Sequence, residues 1–539
     1  MTRVLTLIFC FSLTACLDSP LTSTKQVDLG TTDDDFGTDD DAGMDADSDT
    51  GTNSCGVGET MCDAPQGCIA YGNCLDTLGD GIDSNHDGSD GYTLSTVFVS
   101  QLHGNDGNRG LLPTDPVATL KHAVSISLEK NRTTILLTDG DYVAPKNWTV
   151  SSSTFNLWGG YSERFQSAPD ASSQTKITSE SSTSTLTIKG GNLINLGMVD
   201  FLPPQNPETK HAITLRIENS FVNFYAVRVQ RGEGQNGNNG MLGGSQIDGQ
   251  NANGSTGGSV ICHGLTISGG SGGLGGSCTI GAITEPTAGG HGTNGLGVFL
   301  DQGGGDPAMN NCQTTGVSDG DVGVSRTTAG TVGEPGSAAP LTGLVITGEW
   351  NSGERAGSGS FGKNGSGGAG GGGGGGNNLQ GGAGGGAGSG GCGGKPGQGG
   401  EHGGDSIGIL AIGASSLGGS QVVITGGKGG VGGIGGMGGA FGLGGSGADG
   451  QFANLTSGMR SKGGNGGNGG NGGQGGPGAG GNGGSIYGLA HGPEVQIGNL
   501  QIRVDGGELG KGAEGISDGL PTPDGTDGRS VEIFQADIQ

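Results

Sequence analysis

Between residues 96 and 217 apolar side chains recur in short runs of period two, separated by glycine, asparagine and serine. Val97-Phe98-Val99-Ser100, Thr134–Leu137, Phe155–Trp158, Leu186–Ile188, Ile194–Phe201 and Ile213–Ile217 therefore read as strands. One stretch has the helical period. Leu120, Ala123, Val124 and Leu128 fall on one face, and Asp115-Pro116 starts that helix with an N-cap and a first-turn proline.

Further on, the apolar runs thin out but repeat. His211 to Gly232, Ser406 to Gly427 and Ser485 to Gly507 can be laid over one another at about twenty-two residues each. A unit of that length reads as one coil of a solenoid, whose core exists only when coils stack. Val260–Cys262 and Leu344–Thr347 carry fragments of the same pattern.

Glycine arrays at Gly232–Gly304, Gly357–Gly404 and Gly426–Gly484 then read as insertions at one recurrent turn between coils. In the last array two glycines alternate with one other residue. Val431, Ile434 and Met437 hold the third position first, and Asn465, Asn468 and Asn471 hold it later. Such triplets suit an extended helix of three residues per turn, which has no internal hydrogen bonds and needs neighbours to satisfy its backbone. The change of residue type predicts one stripe turned inward and the other outward. A disordered loop is the competing reading, because ordering glycine costs the most backbone entropy and buries no side chain.

Composition fits this picture. Glycine supplies 130 of 539 residues and aromatics only 4%, so the arrays cannot build a conventional core alone. The net charge is −27, and the Asp runs at 33–35 and 39–41 mark residues 16–54 as a solvated, self-repelling tether. No cluster of Lys and Arg stands out, which argues against nucleic acid and against electrostatic attraction to anionic lipid.

At the start, Arg3, the apolar run Val4–Leu13 and Leu13-Thr14-Ala15-Cys16 form a signal sequence too short to span a bilayer. The last four residues resemble a bacterial lipobox. That resemblance implies removal of residues 1–15, acylation of Cys16 and an extracytoplasmic, lipid-anchored protein, with Leu17 favouring the outer membrane. An ordinary secretory signal with an incidental cysteine is the alternative.

Cys55, Cys62, Cys68 and Cys74 suggest two disulfides in a small module at 55–91, and Cys262, Cys278, Cys312 and Cys392 are four further candidates. Zinc would want C-x-x-C spacing, which the module lacks. Asp83, Asn85 and Asp87 at alternate positions, then Gly88 and Asp90, match the start of a calcium loop. The stretch resembles the calcium repeats of secreted bacterial proteins and thrombospondins. It departs from an EF-hand, since Leu94 stands where a Glu is required and there is one copy. A polar linker held by Asx turns is the other reading.

The series Val97–Ser100, Gly104-Asn105-Asp106, Asn108, Pro116 and Thr119–Ala123 resembles the N-terminal cap of bacterial pectin-lyase-like proteins. Leu157-Trp158-Gly159-Gly160-Tyr161 is similar to a Gly-Gly-aromatic turn of their early coils. The resemblance covers about residues 92–231. It implies an all-β fold, a right-handed parallel β-helix with an N-terminal capping helix, continued through the glycine-rich residues 232–539. The arrays themselves resemble polyglycine-II bundles of fibre-type proteins and glycine-rich repeats of actinobacterial surface proteins.

That fold carries lyases, hydrolases, adhesins and inert surface proteins alike, so activity has to be read from residues. Asp200, Arg216, Arg228, Arg231, Arg503 and Asp505 are scattered, the histidines show no metal-ligand spacing, and Gly269–Gly273 fits a nucleophile elbow in form only. The expectation is a structural or adhesive surface protein that meets polysaccharide or other surface proteins. The alternative is a carbohydrate-active enzyme with clustered carboxylates on the same scaffold.

Overall fold

The computed structural model describes residues 59–62, 67–70, 76–165, 175–191, 193–244, 259–262, 265–268, 319–325, 328–346, 349–353, 355–371, 384–452, 462–515 and 521–538. Residues 1–54 form one unit and 55–539 the other. The signal sequence, Cys16 and the Asp-rich tether lie outside the described residues.

The fold is all-β, built on three parallel sheets with one α-helix among the described residues. The first sheet stacks Thr96–Val99, Thr134–Thr138, Thr154–Tyr161, Leu193–Gly197, Phe221–Tyr225, Ser416–Gly419 and Gln496–Ile497. In the second lie Gly140–Val143, Thr175–Thr178, Asp200–Phe201, Val227–Glu233, Gln421–Lys428 and Gln501–Asp505. The third takes Thr149–Val150, Leu186–Lys189, Ala212–Glu218, Ser406–Ile412, Ile486–His491 and Ser530–Gln535. The chain visits them in the same cyclic order, third, first, second, on each circuit.

Parallel register stacks like on like. Val97, Ile135, Leu157, Leu196 and Phe224 form one ladder. Tyr142, Ile177, Phe201, Val229, Ile424 and Val504 form a second. Leu186, Leu215, Ile409 and Leu489 form a third. Their side chains meet in one buried cluster, each full burial contributing about 1.5–3 kcal/mol. Outside the core, Asn195 Nδ2 donates to Asn156 Oδ1 at 2.8 Å and Asn223 Nδ2 to Asn195 Oδ1 at 3.0 Å. Corners recur too. Gly190, Asn219 and Gly413 follow the third-sheet strand on successive circuits, all with φ between 48° and 71°. At Gly413 a Cβ would also lie 2.2 Å from Asn219 Oδ1.

Several expectations need correction. The helix spans Leu120–Lys130 with Thr119 as N-cap, not Asp115. The backbone of Val117 is spent on Phe98 and Ser100, so helix cannot begin there. Its inner face is Leu120, Ala123, Ile126 and Ser127, and Leu128 is exposed. Ile194–Phe201 is two strands, because Met198 turns the corner at φ 51°. Leu157–Tyr161 is strand rather than turn. Ser259–Cys262 pairs antiparallel with Leu265–Ser268, and Leu344–Ile346 antiparallel with Glu349–Asn351. Neither belongs to the three sheets.

The glycine arrays leave after the second-sheet strands ending at Glu233, Lys428 and Asp505, and the chain returns at Ser406, Ile486 and Ser530. Their segments hydrogen-bond to one another at every third residue. Gly466, Gly469, Gly472 and Gly475 donate to Ala448, Gly445, Gly442 and Gly439, in antiparallel order, at 2.8–3.0 Å. Gly467, Gly470, Gly473 and Gly476 donate to a second segment at Ala369, Ser366, Lys363 and Ser360. The carbonyls of Gly464, Gly467, Gly470 and Gly473 accept from a third at Gly385, Gly388, Gly391 and Gly394. The 463–484 segment thus meets a different neighbour on each side, and its backbone polar groups are satisfied without secondary structure of its own.

Candidate functional site

The glycine triplets give one side chain per turn, and that position faces outward. Val431, Ile434 and Met437 are exposed, as are Phe441 and Leu443 beyond them. Alongside runs 237–243, which donates from Gly237, Gly240 and Gly243 to the carbonyls of Val431, Ile434 and Met437 and leaves Met241 and Leu242 exposed. Asn465, Asn468 and Asn471 use their amides instead, each Oδ1 accepting from Gly450, Gly447 or Gly444. Both stripes thus reach solvent, since Asn468 and Asn471 are exposed as well, and the expected division into an inward and an outward stripe does not hold. At the glycine positions a side chain has no room: a Cβ at Gly469 would sit 2.0 Å from Ser389 O.

Where bundle meets sheets, polar side chains are buried. Asp405 accepts from Trp350 Nε1 at 2.7 Å and from Ser485 N at 2.6 Å, and burial raises its carboxyl to about 6. His211 Nδ1 accepts the Asp405 amide at 3.0 Å, which fixes a neutral ring, and burial lowers its pKa to about 3. His402, beside Asn482, is lowered by burial to about 4. Asp405 and His402 are buried and His211 is nearly so, and the Asp405 bonds join the returning chain to the third sheet.

A third cluster lies at the N-terminal end. Asp83, Asn85 and Asp87, the expected metal ligands, are turned onto the backbone. Asp83 accepts from Asp87 N and Gly88 N, Asn85 from Asp87 N, and Asp87 from Ser89 N and Thr93 N. Asp90 is separated from them and stands with Asp76 and Asp80, one oxygen of each lying within 4.8 Å of the others. Asp90 Oδ2 accepts from Tyr161 Oη at 3.0 Å, Gly79 N at 3.0 Å and Gly81 N at 3.3 Å. Asp76 Oδ2 takes Gly91 N at 3.1 Å. The segment docks on the outer face of the first sheet, where Leu78 packs on Phe98, Leu136, Trp158, Tyr161 and Phe165. Sequence spacing gives no sign of this convergence, since chain reversal brings together residues fourteen apart.

The remaining candidates are dispersed. Arg228 pairs with Asp200 at 3.6 Å, Arg503 with Asp505 at 2.9 Å, and Arg216 with Glu218 at 2.6 Å. Arg231 is buried beneath the second-sheet corner and donates to Gly506 O. An open groove of about 1140 Å³ beside it is lined by Pro203, Gln230, Glu233, Lys428 and Glu508, the last two paired at 3.2 Å.

Among the cysteines, Cys62 and Cys68 lie on the antiparallel strands Glu59–Cys62 and Gly67–Ala70, and Cys262 ends the strand Ser259–Cys262. Cys392 is buried and disulfide-bonded within the bundle. Cys55, Cys74, Cys278 and Cys312 lie outside the described residues. Among the described residues no helix is long and apolar enough to cross a membrane.

No protein family matches the chain, and neither does any curated protein or solved structure.

Proposed function

We propose that this is a lipid-anchored surface protein, attached through Cys16, whose body is a right-handed parallel β-helix carrying a polyglycine-II bundle, with a structural or adhesive role and no chemistry of its own. The cyclic order of strands through three parallel sheets supports the solenoid. The observation that carries the functional reading is the bundle. Arrays inserted after three successive circuits leave one corner, bond to one another at every third residue, and turn Val431, Ile434 and Met437 to solvent. Selection for a core does not explain apolar residues placed there, whereas a contact face does. Polysaccharide or other surface proteins are the partners such a face and its acidic body would meet.

The test is made on cells. Palmitate labelling lost on Cys16→Ala, and accessibility of the chain to added protease, establish the anchor and the face. Cells expressing a chain in which a short turn replaces residues 429–485 should keep the protein at the surface and lose attachment to a matrix or to neighbouring cells. Unchanged attachment, or turnover of an acidic polysaccharide abolished by a single Asp substitution, overturns the reading.

A further inference from the structure

Buried carboxylates are ordinarily paired with a cation or hold a metal, because an uncompensated buried charge is expensive. Among the described residues Asp76 and Asp90 have no such partner. Asp90 is fully buried and Asp76 is 8% exposed, yet the charges acting most strongly on Asp76 are other carboxylates, Asp90 and Asp83. Oδ1 of Asp76 is enclosed and accepts no hydrogen bond among the described residues; the Ser84 amide lies close enough to favour the charged carboxyl, but its N–H is directed to Ile82 O at 3.0 Å.

We propose that Asp76, Asp80 and Asp90 hold one calcium ion. Three carboxylate oxygens within 4.8 Å of one another are spaced as ligands around a single ion at about 2.3–2.6 Å from each. The donor set is oxygen only, which selects a hard cation. Magnesium keeps most of its water, whereas this site is enclosed on the Asp76 and Asp90 sides, so calcium is the better occupant. The orphaned Asp76 Oδ1 gains its missing partner, and the repulsion among three acids becomes attraction to a common charge.

The ion also has a mechanical consequence. Asp90 N donates to Phe165 O at 3.0 Å, Tyr161 Oη donates to Asp90 Oδ2, and Gly79 lies against the Trp158 ring, where a Cβ would come within 2.3 Å. Neutralising the acids therefore fastens residues 76–91 to the first sheet, just where the chain arrives from the Cys-rich module. This inference is independent of any adhesive role.

The experiment is titration calorimetry of the full chain, stripped with chelator, with calcium alone and with magnesium alone. Wild type should bind calcium with a dissociation constant of about 1 mM or below, the range of extracellular sites, and at least tenfold more tightly than magnesium. Asp80→Asn changes an exposed residue whose loss leaves the fold intact, and should weaken calcium at least tenfold. Asp76→Asn should do the same, while Asp83→Asn and Asp87→Asn leave affinity within threefold. Calcium should also protect the 79–91 backbone from protease in wild type and not in Asp80→Asn. Absence of calcium binding by wild type overturns the proposal. So does wild-type affinity in Asp80→Asn with loss in Asp83→Asn or Asp87→Asn, which would place the ion in the Asx turns.

Discussion

Trp350 Nε1 donates a 2.7 Å hydrogen bond to Asp405 Oδ2 in the buried junction between the 344–351 hairpin and the third sheet. The ring also packs edge-on against Tyr487 at 5.1 Å and Phe534 at 6.0 Å. Asp405 directly follows one glycine array, and its other oxygen takes the amide of Ser485, which directly follows the next. One carboxylate thus ties both returns of the chain to the sheet. Trp350→Phe keeps most of the packing and leaves Oδ2 without a donor. It should cost about 2–3 kcal/mol in urea unfolding, and clearly less when Asp405 is already Asn. Equal costs in the two backgrounds would show that the bond itself contributes little.

The same junction makes stability depend on pH. His211 and His402 have folded pKa values of about 3 and about 4, below the unfolded value of about 6.5. Their contribution is complete above that unfolded value and is lost as pH falls, because the unfolded chain takes up protons that the native chain refuses. Asp405, raised to about 6, acts oppositely: protonation below that value relieves a native-state penalty. Between pH 6 and 4 two histidines therefore oppose one carboxyl, a net one proton in favour of unfolding. His402→Gln removes one histidine and should flatten this part of the profile. The stability difference between wild type and variant should shift by about 1 kcal/mol per pH unit in that window, read from urea midpoints at pH 4.5, 5.25 and 6. A constant difference would mean that His402 titrates normally in the folded chain.

Gly469 gives the sharpest test of the bundle. Its N–H is bonded to Gly445 O at 2.9 Å, and a Cβ would lie 2.0 Å from Ser389 O on another segment. Gly469→Ala should destabilise by about 3 kcal/mol, since backbone atoms rather than a flexible side chain must move. In a disordered loop the same change would be neutral or slightly stabilising through the unfolded state, so the sign discriminates. Asn468→Ala, one residue away at the outward position, loses a single exposed amide contact to Gly447 and should cost under about 1 kcal/mol. Hydrogen exchange of the 463–484 amides should quicken in the first variant and not in the second.

What the sequence discloses here follows from which forces are local. The repeats at 211–232, 406–427 and 485–507 are legible because each places an alternating strand over the same ladder, and the sheets pair Ile213 with Ile407 and Ile407 with Tyr487. Insertion of the arrays at one corner follows from that alignment. The helix start does not, because the Val117 backbone is claimed by Phe98 and Ser100, some eighteen positions earlier, and the Pro116 carbonyl by Asn105, a tertiary override of a good capping signal. The split of Ile194–Phe201 depends on Met198 adopting a left-handed conformation that its side chain does not favour. At the acidic site the regular Asp83-Ser84-Asn85-His86-Asp87 spacing points to carboxylates engaged by their own loop. The three that converge are Asp76, Asp80 and Asp90, and no motif links them.

Val431, Ile434 and Met437 stand exposed on the bundle, each between 37% and 43% open to solvent. Their backbone amides and carbonyls are held by the 236–243 segment, with Asn236 Oδ1 taking Val431 N and Asn239 Oδ1 taking Ile434 N, both at 2.9 Å. The side chains therefore contribute little to folding. Replacing all three by Ser should leave the urea midpoint within the ±0.5 kcal/mol typical of surface changes. The same variant should elute earlier from a hydrophobic-interaction column and lower attachment of cells that display it. If stability fell by several kcal/mol instead, the stripe would be core, covered by residues outside those described, and the contact face would have to be sought on Met241 and Leu242 alone. If stability and attachment were both unchanged, the adhesive role would not reside on this face of the bundle.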